Sequence, residues 1–232
     1  MRPCLGPDPQ TRKPHYLAPA GATDCHAHVF GPSTRHPFIP ERSFTPPDAP
    51  VESYLKMLDV LGIDHGVLVQ GSVHGVDNRA VAAAVKSNQE RLRGVAIIGP
   101  DTSDKEIREL HDLGFRGTRL STVVKGTPSF DLLESIAARV RPYGWHVVVH
   151  VDRSRELADL APRLAAIGCP LVIDHIARVR LGESLEGPGF RALVQLLSGG
   201  DCWVKISGQH RMSAMDFPWT DMQQLVRAVV DV

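Results

Sequence analysis

Seven times along the chain, a short run of apolar residues is followed by a segment with helical spacing. Runs such as VVVHV at 147–151 and LVI at 171–173 are continuously apolar, which is typical of parallel strands buried on both faces. The intervening segments place apolar residues three and four positions apart, as in SFDLLESIAARV at 129–140. The segment DNRAVAAAVKSN at 77–88 is one of these helices, with Asp77 as its predicted N-cap. This alternation predicts an α/β fold built on a parallel sheet.

Two α/β architectures fit such a pattern, a doubly wound sheet and a TIM (β/α)8-type barrel. Gly114 and Gly117 flank an arginine and do not form the glycine-rich turn of a dinucleotide-binding sheet, so the barrel is favoured. With 232 residues the chain is shorter than the roughly 250 of such barrels, and the eighth βα unit is not found. We therefore predict an irregular leader over 1–21 and a single barrel domain over 22–232, incomplete at its C-terminal end.

The charge balance and the composition argue against nucleic-acid and membrane partners. Lys+Arg and Asp+Glu both number 26, so there is no net basic field to attract nucleic acid. No apolar run approaches the roughly 18 residues of a membrane span. The four cysteines are far apart and form no CxxC pair, which favours a reducing, cytoplasmic location. The oligomeric state is left open.

Histidines follow several of the predicted strands, where barrel enzymes carry their catalytic groups. His26 and His28 are two residues apart on the first strand, so their side chains should point the same way. His150 ends the fifth strand and His175 follows the sixth. Imidazoles placed in this way bind a divalent metal or stabilise an oxyanion, and the spacing alone does not choose between these roles.

Several motifs, taken in order, resemble one family. DCHAHVFGP at 24–32 is similar to the opening strand of the amidohydrolase superfamily, with its His-x-His pair. LVQGSVHGVDN, GFRGTRLS, LVIDHIAR and WVKISGQHRMS resemble the amidohydrolase-2 group, in particular its pyrone-dicarboxylate hydrolases, which are lactonases. The resemblance runs from about Asp24 to the end of the chain.

The resemblance implies roles for individual residues. The histidines that contact or polarise the lactone carbonyl would be His26, His28 and His175. The predicted substrate-binding residues are Ser72, His74, Arg119, Lys125, His150, Arg178 and Arg211. Arginine suits this task because its planar guanidinium binds a carboxylate through two hydrogen bonds. The proline-rich segment 31–50 would form a loop over the mouth of the barrel.

The implied reaction is hydrolysis of a lactone or cyclic ester of a di- or tricarboxylic acid, by attack of water on a polarised carbonyl. In the family, an aspartate on the eighth strand is the general base that deprotonates the water. Because the eighth βα unit is not found in this sequence, we expect the activity of this chain to be reduced. No cofactor is obligatory in this interpretation. Zinc or manganese, held by His26, His28, His150 and His175, is the alternative. A metal-dependent amidohydrolase, a non-oxidative decarboxylase or a truncated non-catalytic remnant would be the other interpretations.

Overall fold

A computed structural model describes residues 2–232. Seven strands form one parallel sheet in chain order. The strands are β1 Thr23–Ala27, β2 His65–Val69, β3 Leu92–Ala96, β4 Phe115–Ser121, β5 His146–His150, β6 Leu171–Ile173 and β7 Cys202–Val204. The helices are α1 Val51–Leu61, α2 Arg79–Lys86, α3 Asp104–Leu113, α4 Leu133–Val140, α5 Ser154–Ala166, α6 Pro188–Ser198 and α7 Gln223–Val230.

Strand and helix alternate through all seven units, which confirms the predicted βα repeat. The described residues thus contain the parallel sheet and helices of a TIM-type barrel with seven βα units. A second, two-stranded sheet pairs Arg2–Pro3 with Phe44–Thr45 and attaches the start of the leader to the proline-rich segment. None of the helices among residues 2–232 is both long enough and apolar enough to cross a membrane.

The chain divides into two compact units. The N-terminal unit comprises Met1–Arg119 and Val124–Pro128, and the C-terminal unit comprises Leu120–Val123 and Ser129–Val232. The prediction of a single domain over 22–232 stays a prediction.

The core of the N-terminal unit is formed by one face of α1 and the strands beside it. Leu58 of α1 and Leu68 of β2 are fully buried, as is Leu92 at the start of β3. Helix α3 begins with a capping box, in which the Ser103 hydroxyl accepts from the Glu106 amide and the Glu106 carboxylate accepts from the Ser103 amide. Caps of this kind satisfy amide groups that have no partner inside the helix.

Asn78, and not Asp77, is the N-cap residue of α2, so the predicted Asp77 cap is wrong by one position. The Asp77 carboxylate instead accepts from the amide and guanidinium of Arg79. The Asn78 side-chain amide donates to the carbonyls of Val76 and Ile97, at 3.0 and 2.8 Å, and its oxygen accepts from the Ile97 amide at 3.0 Å. Asn78 therefore joins the start of α2 to the chain that leaves β3.

In the C-terminal unit, the apolar strand β5 lies at the centre of the core. Val147, Val148 and Val149 are fully buried, and so is Trp145 immediately before the strand. Burial of successive residues on both faces of β5 agrees with its continuous apolar sequence. Helices α5 and α6 pack against each other beside these strands.

Candidate active site

His26 and His28 lie side by side at the carboxyl end of β1. Their ring centroids are 5.0 Å apart with nearly perpendicular planes. Their spacing predicted this proximity, although only His26 is inside the strand, which ends at Ala27. Both residues line a cavity of about 990 Å³ in the N-terminal unit.

Leader residues between Pro7 and His15 also line this cavity, together with Asp24 and Tyr54. The Tyr54 hydroxyl donates to the Asp24 carboxylate at 3.0 Å. Burial and the neighbouring carboxylate raise the pKa of Tyr54, so this phenol stays protonated at neutral pH. The sequence predicts only that the leader is irregular, because its prolines do not indicate where the segment packs.

The ring of His28 is oriented by a backbone group. Its Nδ1 lies 2.7 Å from the carbonyl oxygen of Val69, at the end of β2. Because a carbonyl only accepts hydrogen bonds, Nδ1 must carry a proton. In the neutral ring Nε2 then presents a lone pair, which can accept a proton from water or bind a metal ion.

Ser72 and His74 belong to a short 3₁₀ turn, Ser72–His74, that follows β2. The segment 31–50 lies against this turn: the Ile39 amide donates to the Val73 carbonyl, and Nδ1 of His74 lies 3.1 Å from the Pro37 carbonyl oxygen. Hydrogen bonds between Phe30 and Ala49 close the base of the segment. The segment is thus a closed loop, held at its middle by the turn.

The ring of His74 is almost entirely buried, with 1% of its surface exposed. It packs against Phe30 and Phe38, with ring centroids 6.2 and 4.9 Å away. Burial lowers the pKa of His74, so the ring is neutral at physiological pH. Its Nε2 has no hydrogen-bond partner in the described part of the chain.

Arg119 and Lys125 occupy different environments within the N-terminal unit. Arg119 on β4 is buried, whereas Arg116, three residues earlier, is exposed, because residues three apart on a strand point to opposite faces. The Lys125 side chain is exposed, and its backbone amide donates to the Ser43 hydroxyl. Gly126 must lack a side chain, because a Cβ there would lie 2.3 Å from the Ser72 carbonyl oxygen. Lys125 is therefore held beside the Ser72 turn.

In the C-terminal unit, His150 and His175 form a second histidine pair, with ring centroids 5.4 Å apart. A serine hydroxyl holds Nδ1 of each ring. Ser121 lies 3.0 Å from Nδ1 of His150, and Ser207 lies 2.8 Å from Nδ1 of His175. Two rings oriented by hydroxyl groups at their Nδ1 atoms have fixed planes, which is what a catalytic imidazole requires.

The chain from His175 to Arg178 adopts an unusual backbone conformation. All four residues have positive φ values, between 50° and 53°, although none is glycine. We call the segment 175–178 the left-handed turn. Each L-residue in this region costs about 1–2 kcal/mol, so the surrounding contacts must hold it. Backbone strain of this kind is often found at functional sites.

The two arginines predicted in this unit differ in exposure. Arg178, in the left-handed turn, forms an ion pair with Asp152, with 3.3 Å between Nη1 and Oδ1. Arg211 is exposed, and its Nε lies 3.3 Å from Nε2 of His210. Arg178 is thus ordered by a carboxylate, whereas Arg211 lies at the surface.

A buried ion pair that sequence reasoning missed lies beside His175. Asp174 is fully buried, and Nζ of Lys205 lies 3.1 Å from its Oδ1. Only 13% of the Lys205 side chain is exposed. The sequence contains a signal for this pair, because Asp174 directly follows the apolar run LVI. A carboxylate buried at such a position is costly unless a cation lies beside it.

Comparison with known proteins identifies the family. The Amidohydrolase family model matches residues 23–231, nearly the whole chain. The chain belongs to the amidohydrolase family. This confirms the resemblance seen in the motifs and makes the chain an enzyme of the hydrolase type.

Curated relatives include two lactone hydrolases. A 4-sulfomuconolactone hydrolase from Hydrogenophaga intermedia is 34% identical over 99% of this chain and 76% of its own length. A 2-pyrone-4,6-dicarboxylate hydrolase from Comamonas testosteroni is 38% identical over 87% of this chain and 67% of its own length.

Solved structures in the family share the fold. An apo structure from Agrobacterium tumefaciens superimposes with a TM-score of 0.83 and 29% identity, covering 94% of this chain and 79% of that one. A probable 2-pyrone-4,6-dicarboxylic acid hydrolase from Acinetobacter baumannii, with citric acid bound, has a TM-score of 0.79 and 30% identity. The superposition covers 91% of this chain and 79% of the Acinetobacter baumannii chain.

Proposed function

We propose that this chain hydrolyses a lactone that carries carboxylate groups. The observation that supports this most strongly is the 34% and 38% identity with relatives named as hydrolases of sulfomuconolactone and pyrone dicarboxylate. A structural relative holds citric acid, a tricarboxylate, which agrees with a site for small polycarboxylates.

The histidines would act on the lactone carbonyl. As the carbonyl carbon becomes tetrahedral, negative charge develops on its oxygen, and oriented imidazole N–H groups stabilise that charge. We assign this role to His26 and His175. His28, with Nδ1 protonated by the Val69 contact, offers Nε2 to accept the proton of the attacking water.

The cations would bind the carboxylates of the substrate. Arg119 is buried and its guanidinium presents a planar fork, which favours carboxylate binding through two hydrogen bonds. Arg178, Lys125 and Arg211 are assigned to the remaining carboxylate contacts, with Ser72, His74 and His150 as further polar contacts. Arg178 would have to share or exchange its present partner, Asp152, when substrate binds.

We propose that no metal ion is obligatory. Asp174 and His175 place oxygen and nitrogen donors close together, of the kinds that zinc and manganese accept, so these two residues are compatible with a divalent ion, which would polarise the carbonyl. The Lys205 ammonium, however, already balances the Asp174 charge. Elemental analysis of purified protein tests this proposal, and stoichiometric zinc or manganese whose removal abolishes turnover would refute it.

An assay with a panel of lactones tests the proposed reaction. 2-Pyrone-4,6-dicarboxylate and 4-sulfomuconolactone should be consumed with ring opening, whereas an uncharged lactone should react slowly. Arg119→Met should raise KM for the carboxylate substrates by roughly 10–100-fold, because charged hydrogen bonds contribute about 1.5–3 kcal/mol. Arg116→Met is the matched control, since this exposed arginine is on the same strand. Absence of ring opening with every lactone would overturn the proposal.

Isomerisation of a lactone is the second candidate. A D-galactarolactone isomerase from Agrobacterium fabrum is 30% identical over 93% of this chain. Proton NMR of the products separates the two reactions, because isomerisation keeps the ring closed and hydrolysis opens it. Release of carbon dioxide would instead indicate the decarboxylase alternative.

We further propose a small-molecule carboxylate as the substrate, no nucleic-acid or membrane partner, and a cytoplasmic location. All four cysteines are free thiols, which agrees with a reducing compartment. Fractionation of the source cells tests the location.

A further inference from the structure

Lys205, the residue directly after β7, makes two backbone hydrogen bonds and one ion pair with the left-handed turn and the residues just before it. The Lys205 amide donates to the Ile173 carbonyl at 2.9 Å, and the Lys205 carbonyl accepts from the Ile176 amide at 3.1 Å. The Lys205 ammonium pairs with Asp174. One residue thus binds the chain immediately before the turn and the chain inside it.

Two neighbours of Lys205 complete these contacts on His175. The Ser207 hydroxyl is hydrogen-bonded to Nδ1 of His175. Gly208 has a φ of +81°, and a Cβ at this position would lie 3.1 Å from the His175 Cβ. Lys205, Ser207 and Gly208 therefore fix both the backbone and the ring plane of His175.

The turn needs such support because its own sequence does not favour it. Ile176 is β-branched and fully buried, with a φ of 51°. β-Branched residues are strongly disfavoured at positive φ. If the supporting contacts were weakened, the turn would relax toward ordinary φ values and the His175 ring would move with it.

We propose that Lys205 is a positioning residue that acts through Asp174 to hold the left-handed turn and aim His175. This inference rests on the proposed function, since it assigns the support of a residue that acts on the lactone carbonyl. In this proposal the Lys205 ammonium acts on Asp174, its ion-pair partner, and not on the substrate.

Four variants test the proposal: Lys205→Met, Lys205→Arg, the double variant Asp174→Asn/Lys205→Met, and Lys86→Met as an exposed lysine control. A misplacement of about 1 Å can cost roughly 100-fold in rate. Lys205→Met should therefore lower kcat by about 10–100-fold with less than a threefold change in KM. Lys205→Arg should retain most of the activity, because it keeps the cation.

The double variant separates positioning from simple charge balance. It leaves no unpaired buried charge, so its thermal stability should recover relative to Lys205→Met. If Lys205 positions His175, kcat of the double variant stays low although the protein is stable. Recovery of kcat together with stability would overturn the proposal.

A second measurement does not depend on any substrate. The ring nitrogens of His175, assigned by comparison with His175→Gln, should shift in ¹⁵N NMR spectra of Lys205→Met and not in those of Lys86→Met. Unchanged His175 signals would overturn the positioning role. If the wild type opens no lactone but Lys205→Met shows the shift, the proposed function is refuted and the positioning role is supported.

Discussion

Replacement of Ala177 by glycine measures the strain in the left-handed turn directly. Ala177 is fully buried, with a φ of 50° and a ψ of 20°. An L-residue pays about 1–2 kcal/mol in this region, and glycine pays almost nothing. Removal of this strain is the favourable part of the substitution.

Two losses oppose it. The buried methyl group contributes about 0.8 kcal/mol, and the greater freedom of glycine in the unfolded chain costs about 0.4–1 kcal/mol. These losses nearly cancel the gain, so we expect the free energy of unfolding of Ala177→Gly to stay close to that of the wild type.

Ala192→Gly is the matched control. Ala192 is also buried, with 7% exposure, but it lies inside the helix α6. It suffers both losses without the gain, so Ala177→Gly should be more stable than Ala192→Gly by about 1–2 kcal/mol. At this chain length, that difference corresponds to roughly 2–8 °C in Tm.

Urea denaturation followed by circular dichroism gives both free energies, and calorimetry gives both Tm values. Equal destabilisation by the two substitutions would refute the reasoning, since it would mean that the turn carries no conformational strain.

Three further outcomes are expected. Burial lowers the pKa of His74 in the folded state, whereas in the unfolded chain the histidine keeps a pKa of 6.5. Near and below pH 6.5 the unfolded state therefore binds more protons, so the free energy of unfolding should fall as the pH drops from 7.5 to 5.5. Urea midpoints at both pH values should show a weaker fall for His74→Gln, and an equal fall would contradict the assignment. Ser103→Ala should lose about 1 kcal/mol of unfolding free energy with its capping box, whereas Ser198→Ala should lose clearly less in the same urea titration. Burial raises the pKa of Cys202 to about 12 and also raises that of Cys169, so a thiol reagent should label two cysteines in the native protein and four in denaturant.

The βα order was predictable because it depends on local patterns. Continuous apolar runs such as Val147–Val149 report burial on both faces, and the helical spacing in 133–140 reports a single buried face. The cap of α2 was misplaced by one residue because Asp77 and Asn78 are both good capping residues. Only the distant Ile97 distinguishes them, since its backbone engages the Asn78 side chain.

The assignment of the site residues stays a prediction, but part of the geometry that it implies is present in the structure. The two-residue spacing gave the proximity of His26 and His28, which the ring contact confirms. No pattern in the letters DHIAR predicts the left-handed turn, because the residue that contacts this segment, Lys205, lies about 30 residues away in the sequence. Lys205 itself was missed because a lysine directly after a short strand is ordinarily an exposed residue.

The position of Asn78 bears on how this protein ages. Its side-chain NH2 group donates to the carbonyl oxygens of Val76 and Ile97, and its Oδ1 accepts a hydrogen bond from the Ile97 amide. Spontaneous deamidation would exchange that NH2 group for a carboxylate oxygen, which repels both carbonyls and cannot donate to either. Deamidation of Asn78 would therefore weaken the connection between α2 and the chain that leaves β3. The same hydrogen bonds hold the side chain in a buried position, and this slows deamidation.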